Sequence, residues 1–311
     1  MSDLKTVVSA RGPGTELAQS TNSLRPATLS GMKAAIIWGM PLLVWQCLFF
    51  VVPLGLLVAM TFWSVRNFRL SPDLTLRNWN HLLSESYFYV TYFRTLSYSV
   101  IASVVGSAFA FPCSYVLAYN VRPSTRRLVT FLLITPFFTS YLVRAYSWQI
   151  ILSDNGLVNG LLSSLGMGRV PMLNTPIATM IGYLTLFFPL IILLQLVGLS
   201  AVDRDLIGAA HNLGAGPLRT IVKVVIPSAK VGLILAATFA FIFAFGDFVS
   251  PAQLGGGKAP TLSILIIDTV KSASNWPMAS AIALTMIVTL MVVMFGALGA
   301  AYGTQRTDRH G

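Results

Sequence analysis

Residues 201–227 read AVDRDLIGAAHNLGAGPLRTIVKVVIP. This polar, basic stretch interrupts two long apolar segments, and its local structure decides what those segments are for. Residues 205–212 can form one short helix. Gly214 and Gly216 then permit a tight turn and close approach of a partner backbone, and Pro217 suits the first position of a following helix. That second helix, 218–226, carries Arg219 and Lys223 four residues apart on one face, and Pro227 marks the entry to the next apolar segment. A helix, glycine turn and second helix between two membrane segments make a compact knob that a soluble protein can grip. The alternative is an ordinary amphipathic loop resting on lipid headgroups.

The composition places this stretch in a membrane protein. Of 311 residues, 55% are hydrophobic and 10% charged, and the mean hydropathy is +0.74; soluble domains carry about 25% charged residues. Several apolar runs reach the roughly 20 residues needed to cross a bilayer as a helix. They do not alternate apolar with polar residues as barrel strands do, so helices satisfy their backbone groups. The net charge of +11 fits a positive-inside bias and attraction to anionic headgroups better than nucleic-acid binding. Cys47 and Cys113 lie in separate apolar runs and imply no disulfide framework. His81, His211 and His310 have no metal-ligand spacing, and neither a metal nor another cofactor is expected.

The expected fold is an all-α membrane protein with six spans, at 34–63, 95–119, 128–152, 177–199, 228–249 and 279–302. Residues 1–33 read as a disordered cytoplasmic tail, 34–303 as the membrane domain, and 304–311 as a second tail. Six spans put both termini on one side. The segments on that side hold 13 of the 21 Lys and Arg residues, which makes it the cytoplasmic side. The outer segments then include 64–94, with NWNHLLSESYFYV, and 153–175, whose GLVNGLLSSLGM is an amphipathic helix for the interface. Tyr87, Tyr146, Trp148 and Trp276 fall near outer boundaries, where aromatic side chains anchor membrane proteins.

The stretch GAAHNLGAGPLRTIVKVVIP resembles the cytoplasmic coupling loop of binding-protein-dependent ABC importer permeases. Ala209, Ala210, Gly214 and Pro227 match that family's pattern, whereas Gly208 stands where Glu is usual and Asn212 where Asp is common. The chain resembles the spermidine/putrescine branch more widely, in 122–162 (RPSTRRLVTFLLITPFFTSYLVRAYSWQIILSDNGLVNGLL), 75–83 (TLRNWNHLL), 245–257 (FGDFVSPAQLGGG) and 275–284 (NWPMASAIAL). The resemblance covers roughly 42–294. It implies a type I ABC importer transmembrane domain without an ATPase site of its own. It also implies four kinds of partner: a dimer of cytoplasmic ATP-binding subunits, a second permease, a periplasmic substrate-binding protein and the lipid membrane. By the same resemblance, Asp205, Gly208, Ala209, Ala210, Gly214, Arg219 and Pro227 form the ATPase-coupling loop. The lost acid at 208 leaves Asp203 or Asp205 as substitute contacts.

Ionisable residues inside spans mark function by default. Along straight helices rising about 1.5 Å per residue, Arg144 lies roughly 24 Å up the third span and Asp247 roughly 28 Å up the fifth, at similar depth. Asp247 is a candidate for contacting a cationic substrate, with Phe245, Tyr146 and Trp148 adding cation–π attraction. The competing reading is a structural Arg144–Asp247 ion pair, and Arg144 can instead snorkel outward. LGGGKAPT, at 254–261, has the look of a phosphate-binding loop, but Ala252 and Ala259 stand where that loop needs Gly and Ser or Thr. The expected function is therefore uptake of polyamines or related small cations driven by a partner ATPase. An anionic or zwitterionic solute contacted by Arg144, or an ion-driven carrier, stands as the alternative. A membrane-embedded enzyme needs a cluster of His, Asp, Glu or Cys that the sequence lacks.

Overall fold

The structure is a computed structural model, described for residues 29–66, 69–257 and 259–303. The tails expected at 1–33 and 304–311 lie outside these residues, apart from 29–33, which open the first helix. The chain divides into two units, 1–56 and 57–311. In the first, α1 (Leu29–Gln46) runs into a five-residue π turn, Cys47–Val51, that leads to α2 (Val52–Met60), which continues into the second unit. Pro53 lacks the N–H that would bond the carbonyl of Phe49, so the helix locally widens to an i→i−5 pattern, with Val52 N–H on the Cys47 carbonyl.

A small hairpin follows the end of α2 in the second unit. Strands β1 (Ser64–Arg66) and β2 (Arg69–Ser71) pair antiparallel. Asn78, from the NWNHLL segment, ties the hairpin root to α3 (Arg77–Ser84) by donating to the carbonyls of Thr61 and Trp63 at 2.9 and 2.8 Å. Asp73 accepts from the Ser64 hydroxyl at 2.8 Å and pairs with Arg66 at 3.2 Å. The Ser64 hydrogen bond above all holds the Asp73 carboxyl below its ordinary range.

The membrane part is built on three helices: α4 (Ser86–Tyr119), α8 (Pro176–Ser200) and α12 (Lys230–Gly246). Lipid tails are as apolar as leucine, so these helices are held by close fit and interhelical hydrogen bonds. Small residues of α4 and α12 (Ala102, Ala110, Ala236, Ala240, Ala244) receive large ones of α8 (Tyr183, Phe187, Ile191). Gly198 and Gly232 let α8 and α12 touch backbone to backbone: a Cβ on Gly232 would lie 2.5 Å from the Gly198 Cα. Gln195 joins the ladder, accepting from Ser114 at 3.1 Å and donating to the Ser107 carbonyl at 3.0 Å. The last helix, α15 (Trp276–Tyr302), packs its Ala281, Ile282 and Met286 against Phe241, Phe245 and Phe88.

Among the described residues, four helices are long and apolar enough to cross a membrane, and there are six candidate spans if each of two bent pairs counts as one. The bends correct the straight-span expectation. The third span is α5 (Pro123–Ile134), a tight turn at Thr135–Phe138, and α6 (Tyr141–Leu152), with a 92° bend at the break after Phe138. The fifth begins beyond a 77° bend at Ala229, so the stretch 218–249 is not one straight lever. Depth counted along a straight helix therefore fails for Arg144, whose count crosses the 92° bend, whereas Asp247 follows directly on the unbroken α12. The helix expected in GLVNGLLSSLGM is α7 (Leu157–Ser164). Its one buried residue is Asn159, bonded to the backbone of Ser153 and Val170.

Candidate functional site

The loop at 201–227 folds as a rigid knob for local reasons. Helix α9 (Arg204–Asn212) starts at Asp203, whose carboxylate accepts the Asp205 N–H at 2.9 Å. It ends in a Schellman turn: Gly214 N–H bonds the His211 carbonyl at 2.9 Å and Ala215 N–H the Ala210 carbonyl at 3.0 Å. Gly214 has φ +77° there, a conformation that suits glycine. Helix α10 (Pro217–Thr220) continues through a π turn, Ile221–Val225, into α11 (Ile226–Ser228), with Pro227 two residues beyond the turn as Pro53 is in the first unit.

One side of the knob is anchored and the other is bare. Ala210, Thr220 and Val225 are buried, and Ile207 packs on the main core cluster. Asp205, Gly208, Ala209, Gly214, Arg219 and Pro227 are exposed. So are Leu213, at 88%, and Leu218, at 77%. The two exposed leucines flank one capped turn and give the knob an apolar face. The sequence reading missed them. Their signal is two large apolar residues flanking the turn-forming Gly214-Ala215-Gly216-Pro217 run. A Cβ at Gly208 meets nothing within 4 Å, so glycine there is not a steric requirement.

The membrane candidates do not assemble as expected. Arg144 and Asp247 form no ion pair. Tyr141 sits between them: its hydroxyl donates to Asp247 Oδ2 at 2.5 Å and also hydrogen-bonds Ser250 Oγ, while the Arg144 guanidinium lies 5.8 Å from its ring centroid. Asp247 is 7% exposed and follows the last residue of α12. It caps the short helix α13 (Val249–Gln253), accepting the N–H groups of Val249 at 2.8 Å and Ser250 at 3.1 Å. This explains the FGDFVSPAQLGGG segment, a buried turn between α12 and α13 wedged against α8, where a Cβ on Gly182 would meet Ser250 Oγ at 2.6 Å. Arg144 donates to the Thr185 carbonyl at 3.2 Å, and its Nε is buried without a partner among the described residues.

Arg144 and Trp148, one turn apart on α6, share a groove of about 690 Å³ with Phe109 and Cys113 of α4 and Ile181 and Phe188 of α8. Tyr146 is half exposed on the same helix. Phe245 is fully buried and stacked on Phe241, 5.4 Å between ring centroids, away from that groove. Its expected place beside a cation is thus taken by core packing.

A bundle with broken third and fifth spans, a buried half-turn at 245–254 and a capped knob between its fourth and fifth spans is the transmembrane domain of a type I ABC importer. Residues 110–301 match the family of binding-protein-dependent transport system inner membrane components, and the chain belongs to it. It is 31% identical over 228 residues to the spermidine/putrescine transport system permease protein PotB of Escherichia coli, covering 71% of this chain and 81% of that protein. To the PotB of Haemophilus influenzae it is 29% identical over 255 residues, covering 81% and 88%. Among solved structures it is similar to a chain of the crystal structure of a bacterial ABC transporter involved in the import of the acidic polysaccharide alginate. There the TM-score is 0.72 at 18% identity, covering 88% of this chain and 97% of that one, a likeness of fold alone.

Proposed function

We propose that this chain is the permease subunit of an ATP-driven importer for polyamines such as putrescine and spermidine, working in the bacterial inner membrane with both termini cytoplasmic. It pairs with a second permease, receives substrate from a periplasmic binding protein, and rests its knob on a cytoplasmic ATPase dimer. The substrate class rests on the two PotB relatives. The observation that carries the coupling is the bare apolar face of Leu213 and Leu218 on a knob whose other side is buried in the bundle. Asp205, Gly208, Ala209, Arg219 and Pro227 complete that contact surface, Ala210 anchors it, and Gly214 sets its turn. ATP binding shifts a two-state equilibrium by gripping the knob better in one state than in the other. Because the chain bends at Ala229, the pull is delivered as a rotation of α12 about that bend rather than as a straight push.

Tyr146, Trp148 and Arg144 are the residues proposed to meet the substrate, and Asp247 and Phe245 are proposed to shape the path from behind. One observation favours a second reading: the groove beside α6 presents Arg144, while the carboxylate of Asp247 is turned inward to Tyr141. That arrangement suits a solute with an anionic or zwitterionic end.

The test is ATPase activity of the complex purified through a tag on this chain, in lipid nanodiscs, with binding protein loaded with putrescine or spermidine. Stimulation supports the proposal. An associated ATPase indifferent to polyamines overturns the substrate class in favour of the second reading, and absence of any associated ATPase overturns the coupling. Leu213→Asp with Leu218→Asp is expected to abolish stimulation in a protein that still folds, since both side chains are solvent-facing.

A further inference from the structure

At the end of the bundle that carries the knob lies a second cavity, of about 540 Å³, between the last turn of α4, the first turns of α5 and the last two turns of α8. Val121, Leu193, Leu196 and Val197 form an apolar wall, and Arg126, Arg127 and Arg204 supply three guanidinium groups. Each guanidinium has five N–H donors and cannot lose its charge. Arg126 uses one on Ser200 Oγ, and Arg204 one on the Ala118 carbonyl at 3.3 Å. Arg127 has no side-chain partner among the described residues. The nearest acids along the chain are Asp203, committed to the cap of α9, and exposed Asp205, and neither forms an ion pair with the three arginines.

One of these bonds goes to a side-chain hydroxyl and the other to a carbonyl at the end of α4, and together they leave most of the donors unused. Like charges gathered without a carboxylate repel one another, so the arrangement is stabilised by an anion with several acceptor oxygens. A phosphodiester matches the guanidinium fork and accepts two bonds from it. The apolar wall selects among phosphates, because it offers an acyl chain a surface that an inorganic ion has no use for. The position, where membrane helices end, is where headgroups lie.

We propose that this cavity binds the headgroup of an anionic phospholipid, with its phosphate held by Arg126, Arg127 and Arg204 and the start of an acyl chain along Leu193, Leu196 and Val197. Arg204 is the first residue of the knob helix α9, so an occupied site ties the knob to the start of α5. From the proposed function this takes only that the knob end lies at a membrane surface.

The experiment is native mass spectrometry of the delipidated complex in detergent, titrated with phosphatidylglycerol, with phosphatidylcholine and with inorganic phosphate. It reads neither transport nor sidedness, so its outcome is independent of the substrate class and of the ATPase contact. Phosphatidylglycerol is expected to be retained about tenfold better than phosphatidylcholine, and Arg126→Gln with Arg127→Gln is expected to erase that preference. Arg169→Gln, which removes an exposed charge outside the cavity, leaves it intact. Should the double variant not fold, Arg127→Gln alone replaces it, since that side chain has no partner to lose among the described residues, and a fall of about threefold is expected. Equal retention of the two lipids, or variants that bind as the parent does, overturns the site. Displacement of the lipid by millimolar phosphate overturns the lipid as its occupant.

Discussion

The hydrogen bonds around Asp247 make a graded prediction. Its carboxylate accepts from Tyr141 at 2.5 Å, Val249 at 2.8 Å and Ser250 at 3.1 Å, and it is 7% exposed. Asp247→Ala removes both acceptor oxygens and strands two backbone N–H groups where water is scarce, while the Tyr141 hydroxyl keeps Ser250 Oγ as a partner. At about 1–3 kcal/mol for each stranded group, the loss is at least about 2 kcal/mol, roughly thirtyfold in a folding equilibrium. Tyr141→Phe removes the bond to the carboxylate, about 1.5–3 kcal/mol, together with the bond to Ser250 Oγ, and leaves the backbone N–H bonds of α13 intact. Asp247→Asn keeps one carbonyl acceptor and loses the charge, which halves the strength of what remains. Thermal unfolding in detergent should therefore rank the parent above Asn and Phe, with Ala lowest. Uptake of labelled spermidine measured in cells should fall in the same order. Two results would refute the reasoning. One is Asp247→Ala melting with the parent, which would mean that the cap holds nothing. The other is Asp247→Asn melting with the parent yet transporting nothing, which would make the charge itself the working feature.

Gly232→Ala is expected to destabilise by roughly 1–3 kcal/mol, seen as a lower melting temperature and poorer yield, because its methyl meets the Gly198 backbone at 2.5 Å. Gly208→Glu has open space and replaces a poor helix former, so the isolated permease should melt no lower than the parent; a clear fall would show that something covers that face of α9. Asp73 has a depressed folded pKa, so its contribution to the hairpin is fully present above the ordinary carboxylate range and is lost as pH falls through the lower folded value. Ser64→Ala should move that loss to higher pH, read as protease nicking at the hairpin, and an unchanged profile would sink the assignment.

What was legible in the sequence followed from sums and from neighbours. The membrane spans are averages over some twenty residues, so single errors cancel, and all six regions contain an apolar helix or bent pair. The knob was legible because caps are local: Asp203, Gly214 and Pro217 act within a few residues of themselves. The knob's role depended on resemblance, and its bare leucines went unnoticed because exposure is decided by what packs on the opposite side.

Depth and pairing inside the membrane were decided by the tertiary structure. A span reads as apolar whether it is straight or bent through 92°, because hydropathy measures transfer from water and not direction. Asp247 finds Tyr141, 106 residues away, rather than Arg144, since a buried carboxylate is satisfied by whichever donors the fold brings within bonding distance. Gly198 and Gly232 become a helix crossing, and Arg126, Arg127 and Arg204 a basic cavity, only when α4, α5, α8 and α12 are set side by side. The sequence alone determined that this chain is a multi-span helical membrane protein with a capped knob between its fourth and fifth spans, because partitioning and capping act through composition and near neighbours. Which polar groups meet inside it depended on the packing of helices distant in the chain.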